Sequence, residues 1–195
     1  MMHYVEIIPH QFVDDEDIHF VLNKTVTRIH GFLRKSGEKL GIDFPDSSQY
    51  GLGNLLRVFG KPAPLESLIL DSGTEHLQKR KMIKVGNIGE PPSDFMKIRL
   101  QHARRFGERE LLKKARARRD FLAKKDPDME LPSVQHLKAK YKNRENLPHM
   151  TIEKNTGKYV IKIKTEFVDH NVSLDMGMFN SYGLGSSKSA FVYRF

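Results

Sequence analysis

Apolar positions along this chain change period several times, and each change marks an element. From His3 to Ile8 they alternate, as in a strand with one buried face. Acidic residues from Asp14 to Asp17 then lead into Ile18, Leu22, Val26, Ile29 and Leu33, spaced by threes and fours. That spacing predicts a helix to about Arg34, with negative side chains at its positive end and Gly31 and Gly37 near its close. Short apolar runs at Leu40–Phe44, Asn54–Phe59 and Met82–Val85 predict three further strands, the first stopped by Pro45, and Pro64–Leu70 predicts a short helix. The βαββαβ order implies an α+β fold. Its residues 1–90 are expected to form a ferredoxin-like, RRM-like domain with helices on one face of an antiparallel sheet.

Residues 86–94 (Gly-Asn-Ile-Gly-Glu-Pro-Pro-Ser-Asp) read as a linker, so a second domain is expected over 91–195. It opens with a strand, Phe95–Gln101, and a helix from Arg105 to about Lys125, which Asp126–Pro132 breaks. His149–Glu153 and Lys158–Lys164 flank Asn155-Thr156-Gly157, a hairpin signal, with Tyr159, Ile161 and Ile163 on one face of the second strand and Lys162 and Lys164 on the other. A glycine-rich stretch, Ser181–Ser189, precedes a last strand, Ala190–Phe195. The C-terminal domain is thus a basic helix with a small antiparallel sheet.

Charge changes this picture. The chain carries a formal +9, and residues 97–125 alone hold twelve lysines and arginines against Glu108, Glu110 and Asp120, which is the whole surplus. A solvated helix face ordinarily mixes both signs. On the predicted helix Leu111, Ala115 and Leu122 share one side, while Arg105, Arg109, Lys113 and Arg116 share another, so one flank can dock and the other can meet phosphates. No stretch approaches the roughly 18 apolar residues of a membrane span. Phe106 and Phe121 also make no apolar wedge for a membrane surface. The opening residues lack a secretory pattern and cysteine is absent, which excludes disulfides and thiolate chemistry and fits a cytoplasmic protein.

Nine histidines invite a metal reading, but none forms an HExxH or HxxxH pair, so no metal and no cofactor is expected. His30 lies just off the edge of the first helix's apolar stripe. A lone boundary histidine is ordinarily structural; the functional alternative is a general base, because imidazole titrates near neutrality. Lys97, Arg99 and Gln101 alternate on one strand face directly before the basic helix. Arginine pairs bidentately with guanine and glutamine with adenine. Tyr159 is either core or a surface for stacking a base. Gly183 and Gly185 would let backbone N–H groups approach a phosphate.

Several segments then fall into a familiar order: Met2-His-Tyr-Val-Glu-Ile7, Ile29-His30, Ile42-Asp-Phe-Pro-Asp46, Arg99-Leu-Gln101, the arginine helix, Leu147-Pro-His-Met-Thr-Ile152 with Thr156-Gly157, and Ser181-Tyr-Gly-Leu184 with Phe191-Val192. Over nearly its whole length the chain resembles the CRISPR-associated repeat-RNA endoribonuclease of type I-F systems. The resemblance implies a protein that recognises the stem-loop of the CRISPR repeat and cuts at the 3′ base of the stem. It implies that the protein then stays on the crRNA beside other Cas subunits of the interference complex. His30 falls at the family's catalytic histidine, and Tyr182 at a tyrosine of the active-site wall. Arg99 and Gln101 fall at its base readers, Arg118 and Arg119 at the phosphate-tracking helix, and Tyr159 at an aromatic packed on a nucleotide by the cut.

One departure stands out. The family carries serines in the hairpin turn, whereas this chain reads Glu153-Lys154-Asn155-Thr156-Gly157, one residue shorter and without serine. Lys154, Asn155 and Thr156 are the candidates to replace them. The implied chemistry uses the RNA's own 2′-hydroxyl as nucleophile and needs no metal. The alternatives are a hairpin-binding subunit that has lost cleavage, and a basic structural RNA-binding protein.

Overall fold

The computed structural model describes residues 2–14, 17–103, 108–127, 129–142, 147–154 and 157–195, with only the backbone at 108–110, 140–142, 153–154 and 158. The first half runs β1 (His3–Pro9), α1 (Ile18–Ser36), β2 (Gly41–Asp43), β3 (Leu56–Gly60), α2 (Pro62–Ile69), α3 (Ser72–Lys79) and β4 (Ile83–Val85). Its four strands order as β2-β3-β1-β4, every neighbour antiparallel. The second half runs β5 (Met96–Ala103), α4 (Glu108–Lys125), α5 (Val134–Lys142), β6 (His149–Lys154), β7 (Gly157–Phe167) and β8 (Val192–Arg194), with a second antiparallel sheet ordered β6-β7-β5-β8. The fold is therefore α+β, built on two four-stranded antiparallel sheets.

The period of α1 is what buries it. Leu22, Val26, Ile29 and Leu33 are all within the core, joined by Val21, while Ile18 is only partly covered. Thr25 is tolerated on the buried side because its hydroxyl donates to the Val21 carbonyl one turn back at 2.8 Å. The helix ends where Gly37 takes φ +76° and its N–H closes on the Leu33 carbonyl, the left-handed cap that a residue with a Cβ resists.

Two helices escape the periodicity. In α3 only Thr74 and Leu77 are buried, so its apolar signal is one turn long; its start is set by Asp71, whose carboxylate accepts from Gly73 N–H. In α5 lysines hide a stripe of one buried leucine, Leu137, and its start is set by Ser133, whose hydroxyl accepts from His136 N–H. Helix α5 packs against α4, and Leu111 and Ala115 of the basic helix are buried.

The core does not divide at residue 90. Val5, Ile7, Val58 and Phe59 from the first sheet share one apolar cluster with Ile98, Leu100, Met150, Ile161 and Ile163 from the second. Polar contacts reinforce the join. Strand β8 pairs with β5 yet carries Arg194, whose guanidinium grips both carboxylate oxygens of the fully buried Asp43 on β2. Arg57 of β3 donates to the Phe195 carbonyl at 2.6 Å, with its guanidinium 3.9 Å above that residue's ring. Gly41 lets β2 approach β8 this closely, since a Cβ there would sit 2.5 Å from Val192 and 2.8 Å from Phe179. Among the described residues no helix is long and apolar enough to cross a membrane.

The joint has a measurable weight. Arg194→Met strands the Asp43 carboxylate in the interior and is expected to lower the unfolding free energy by about 3–5 kcal/mol. The double replacement Asp43→Leu with Arg194→Met should recover most of that. Denaturant midpoints check both, and a single variant as stable as wild type would remove the pair from the joint.

Candidate functional site

His30 lies in the last turns of α1, 7% exposed. Its Nδ1 is 2.9 Å from the carbonyl oxygen of Ser181. A carbonyl can only accept, so Nδ1 carries the hydrogen, and in the neutral ring Nε2 is the basic nitrogen. The Tyr182 ring stacks flat on the imidazole, centroids 4.1 Å apart and planes 6° from parallel.

The segment that does this is shaped by Asn180, whose role the apolar pattern does not reveal. Its side-chain oxygen accepts from Tyr182 N–H at 2.8 Å and Leu184 N–H at 3.2 Å, and its carbonyl accepts from Gly183 N–H at 2.9 Å. Gly183 completes the turn at φ +71°. Ile42 N–H donates to the Gly183 carbonyl, and Gly185 N–H donates to the Leu100 carbonyl. The loop thus bridges the two sheets. This overturns the phosphate-cradle reading of Gly183 and Gly185, because both N–H groups already have backbone partners. An asparagine before Ser-Tyr-Gly is an asx-turn signal that could have been read.

The second cluster lies on the polar face of the second sheet. Register sets Arg99 opposite Glu166 and Gln101 opposite Lys164 across β5 and β7. Arg99 is 11% exposed at its side chain and donates from Nη2 to Glu166 Oε2 at 2.6 Å, while Lys164 Nζ reaches the other carboxylate oxygen, also at 2.6 Å. Their hydrogen bonds, from Lys164 first and then Arg99, hold the Glu166 carboxyl down from its ordinary 4.5 to about 2. The Arg99 stem lies along Gly185, where a Cβ would stand 2.8 Å from its Cγ. Arg99 Nε and Gln101 Nε2 are buried and have no hydrogen-bond acceptor among the described residues. Lys97 does not join them: its ammonium donates to the His170 and Val172 carbonyls and so ties down the chain after β7.

The third region is α4. Lys113, Arg116, Arg118 and Arg119 are exposed, and Lys113 and Arg116 help line a shallow concavity of about 470 Å³. Arg109 belongs to the helix by its backbone alone, and Arg105 lies outside the described residues. On β7, Tyr159 is 45% exposed, its ring 6.3 Å from that of His102. Lys162 is buried at 8%. Lys154 ends β6 and pairs with Gly157, while Asn155 and Thr156 lie outside the described residues. His19 and His149 bring their rings to 5.5 Å, but no group of three His, Asp or Glu side chains fit for a metal occurs among the described residues.

The arrangement sets apart a fixed imidazole with a basic Nε2, a cross-strand charged triad with unmet donors, and an exposed basic helix. Carboxylate NMR should find Glu166 titrating near pH 2, and Lys164→Ala should return it toward the ordinary value. Since the folded-state pKa is the lower one, the stability Glu166 contributes is complete above pH about 4.5 and fades as pH falls toward 2. A Glu166 midpoint at 4.5 in wild type would mean that the triad does not form.

No curated protein matches the chain. Residues 4–195 do match a protein family, described as CRISPR-associated protein (Cas_Csy4). The match takes in both sheets, α1 with His30, the Arg99 strand and the Ser181–Leu184 loop. The chain therefore belongs to the Cas_Csy4 family and is a CRISPR-associated, RNA-processing protein.

Proposed function

We propose that this protein is a metal-independent endoribonuclease of a type I-F system. It binds the stem-loop of the CRISPR repeat, cuts the precursor at the 3′ base of the stem, and stays on the crRNA in the cytoplasm as a subunit of the guided interference complex. In this reading residues 1–90 are a ferredoxin-like domain that supplies His30. The support is the order β2-β3-β1-β4 with antiparallel neighbours. Residues 91–195 are the half that holds the hairpin.

The observation that carries the reading is the Nδ1–H of His30 on the Ser181 carbonyl. It fixes the tautomer a general base needs. Nε2 takes the proton of the 2′-hydroxyl beside the scissile phosphate. The 2′-oxygen attacks phosphorus in line, and the bond to the 5′-oxygen breaks. That oxygen takes a proton from water, and the imidazolium returns its proton to solvent, leaving a 2′,3′-cyclic phosphate and a 5′-hydroxyl. Tyr182, face-on to the ring, favours the imidazolium formed midway through its π-cloud. Lys154 and Asn155, at the hairpin turn, are assigned to the charge building on the phosphoryl oxygens.

Recognition is assigned to the other two regions. Arg99 and Gln101 read base edges at the foot of the stem, and Tyr159 stacks a nucleotide beside the cut. Arg105, Arg109, Lys113, Arg116, Arg118 and Arg119 follow the phosphates of the stem. An A-form helix hides its bases in a deep groove, so a row of phosphate contacts along α4 reads shape. The serine-free turn favours one second reading, a hairpin-binding subunit without cleavage. Repeat RNA incubated with wild type in EDTA separates the two, because only the enzyme shortens it.

His30→Ala should slow cleavage of a repeat hairpin by about 10²–10⁴-fold while leaving its affinity within a few-fold. A 2′-deoxy nucleotide before the cut should block wild type. Native-rate cutting by the variant would remove His30 as the base, and cutting of the deoxy substrate would remove the 2′-hydroxyl mechanism. Separately, Arg109→Gln, Lys113→Gln and Arg116→Gln together should weaken hairpin binding and flatten the plot of log affinity against log salt by roughly 0.7–0.9 for each phosphate no longer neutralised. An unchanged slope would take α4 out of the phosphate interface.

A further inference from the structure

Arg99 is not held as a free cation would be. It is 11% exposed, its stem lies on Gly185, and its Nη2 is bonded to a carboxylate. That carboxylate is shared: one oxygen of Glu166 takes Arg99 and the other takes Lys164. Two positive charges on neighbouring strands are thereby reduced to one. Beside them, Arg99 Nε and Gln101 Nε2 are buried donors without acceptors among the described residues. A buried donor left unmet is destabilising, so the patch is incomplete until something supplies acceptor atoms. A bare phosphate could do so by charge alone. A base edge can do so only if the fork is correctly aimed.

We propose that Glu166 is a specificity-determining residue of the RNA-binding face, aiming the Arg99 fork and cancelling its charge so that a guanine edge is rewarded and an arbitrary phosphate is not. This rests on the reading of Arg99 and Gln101 as base readers. The carboxylate is suited to the task because it stays ionised at every working pH. It also sits directly opposite Arg99 in the register, so the aim is set by β5–β7 pairing rather than by a loop. Glu166 is bonded to Arg99 and Lys164, so it acts through Arg99.

A carboxylate that merely stabilised the sheet would act differently from one that discriminates. Removing a structural group weakens binding to all RNAs alike. Removing a discriminating counter-charge weakens the correct partner and strengthens wrong ones. The test compares wild type with Glu166→Gln and Glu166→Asp. Each is titrated against the repeat hairpin, made uncleavable by a 2′-deoxy nucleotide before the cut. The competing probe is a hairpin of equal length with its stem sequence scrambled, and both are measured over a range of salt.

Glu166→Gln is expected to lower the ratio of repeat to scrambled affinity by about tenfold or more, the scale of one bidentate base contact. It should also steepen the salt dependence for the scrambled RNA, because a phosphate-seeking cation has been released. Glu166→Asp keeps the charge but shortens the reach. It should leave the salt slope at the wild-type value and lower the ratio. Equal weakening toward both RNAs, or an unchanged ratio in Glu166→Gln, overturns the inference while the proposed function stands. Wild type binding both RNAs equally overturns the base-reading assignment and the inference with it.

Discussion

In the proposed function, one hydrogen bond joins the chemistry to the architecture: His30 Nδ1–H to the Ser181 carbonyl, across 151 positions of sequence. An imidazole left to itself has two tautomers and a freely turning side chain. Here both freedoms are removed by a main-chain oxygen, and that oxygen is held by a loop with one foot on each sheet, through Ile42 and Leu100. Whatever shifts the sheets relative to one another therefore shifts the acceptor under the histidine. The Arg194–Asp43 and Arg57–Phe195 contacts belong to the same device, because they lock the two sheets beside the loop. Buried ion pairs are weak sources of stability, and Arg194–Asp43 ties β8 of one sheet to β2 of the other. Such a tie is what a site assembled from both halves requires.

Much of this was legible in the chain, for identifiable reasons. The 3.6-residue stripe of α1 exposes its buried face and sets His30 at the boundary, because a helix written against a core must repeat its apolar positions. The Gly37 end and the hairpin closed at Lys154 and Gly157 follow from local turn chemistry. The strand order of the first sheet is consistent with the βαββαβ reading. What could not be read was tertiary. Lysines on α5 mask its single buried leucine, since the partner face on α4 is known only once the helices meet. Gly183 and Gly185 look like a phosphate loop because a sequence cannot say where an N–H is already bonded. Lys162 looks solvated by its type, and its burial depends on a register that no local pattern fixes.

Charge teaches the same lesson in another form. The surplus over residues 97–125 treats every cation as equivalent, and the fold does not. Lys97 caps two carbonyls, and Arg99 shares a carboxylate with Lys164. Lys113, Arg116, Arg118 and Arg119 instead stand in solvent on a helix whose opposite side is buried. A cation already compensated contributes little to long-range attraction but much to geometry. An exposed one does the reverse, and its effect is screened within about 8–10 Å at physiological salt. The chain thus separates exposed cations, which the proposed function assigns to attracting the RNA, from compensated ones, which it assigns to reading it.

That separation has a mechanical consequence. Contacts along an exposed helix tolerate small displacements, since a lysine or arginine on a flexible stem follows a phosphate through an ångström or more. General-base chemistry does not, because a proton passes only between atoms at hydrogen-bond distance and an in-line attack admits one direction. It follows that the exposed cations can sit on a helical hairpin outside the shared core without harm. If His30 is the base, as proposed, then it, its tautomer-setting carbonyl and its stacked tyrosine must be built into the core's edge. The sequence distributes its residues accordingly: lysine, arginine and alanine on α4, where adaptability serves, and two glycines, an asparagine and Tyr182 at 180–185, where the backbone is bonded to both Ile42 and Leu100.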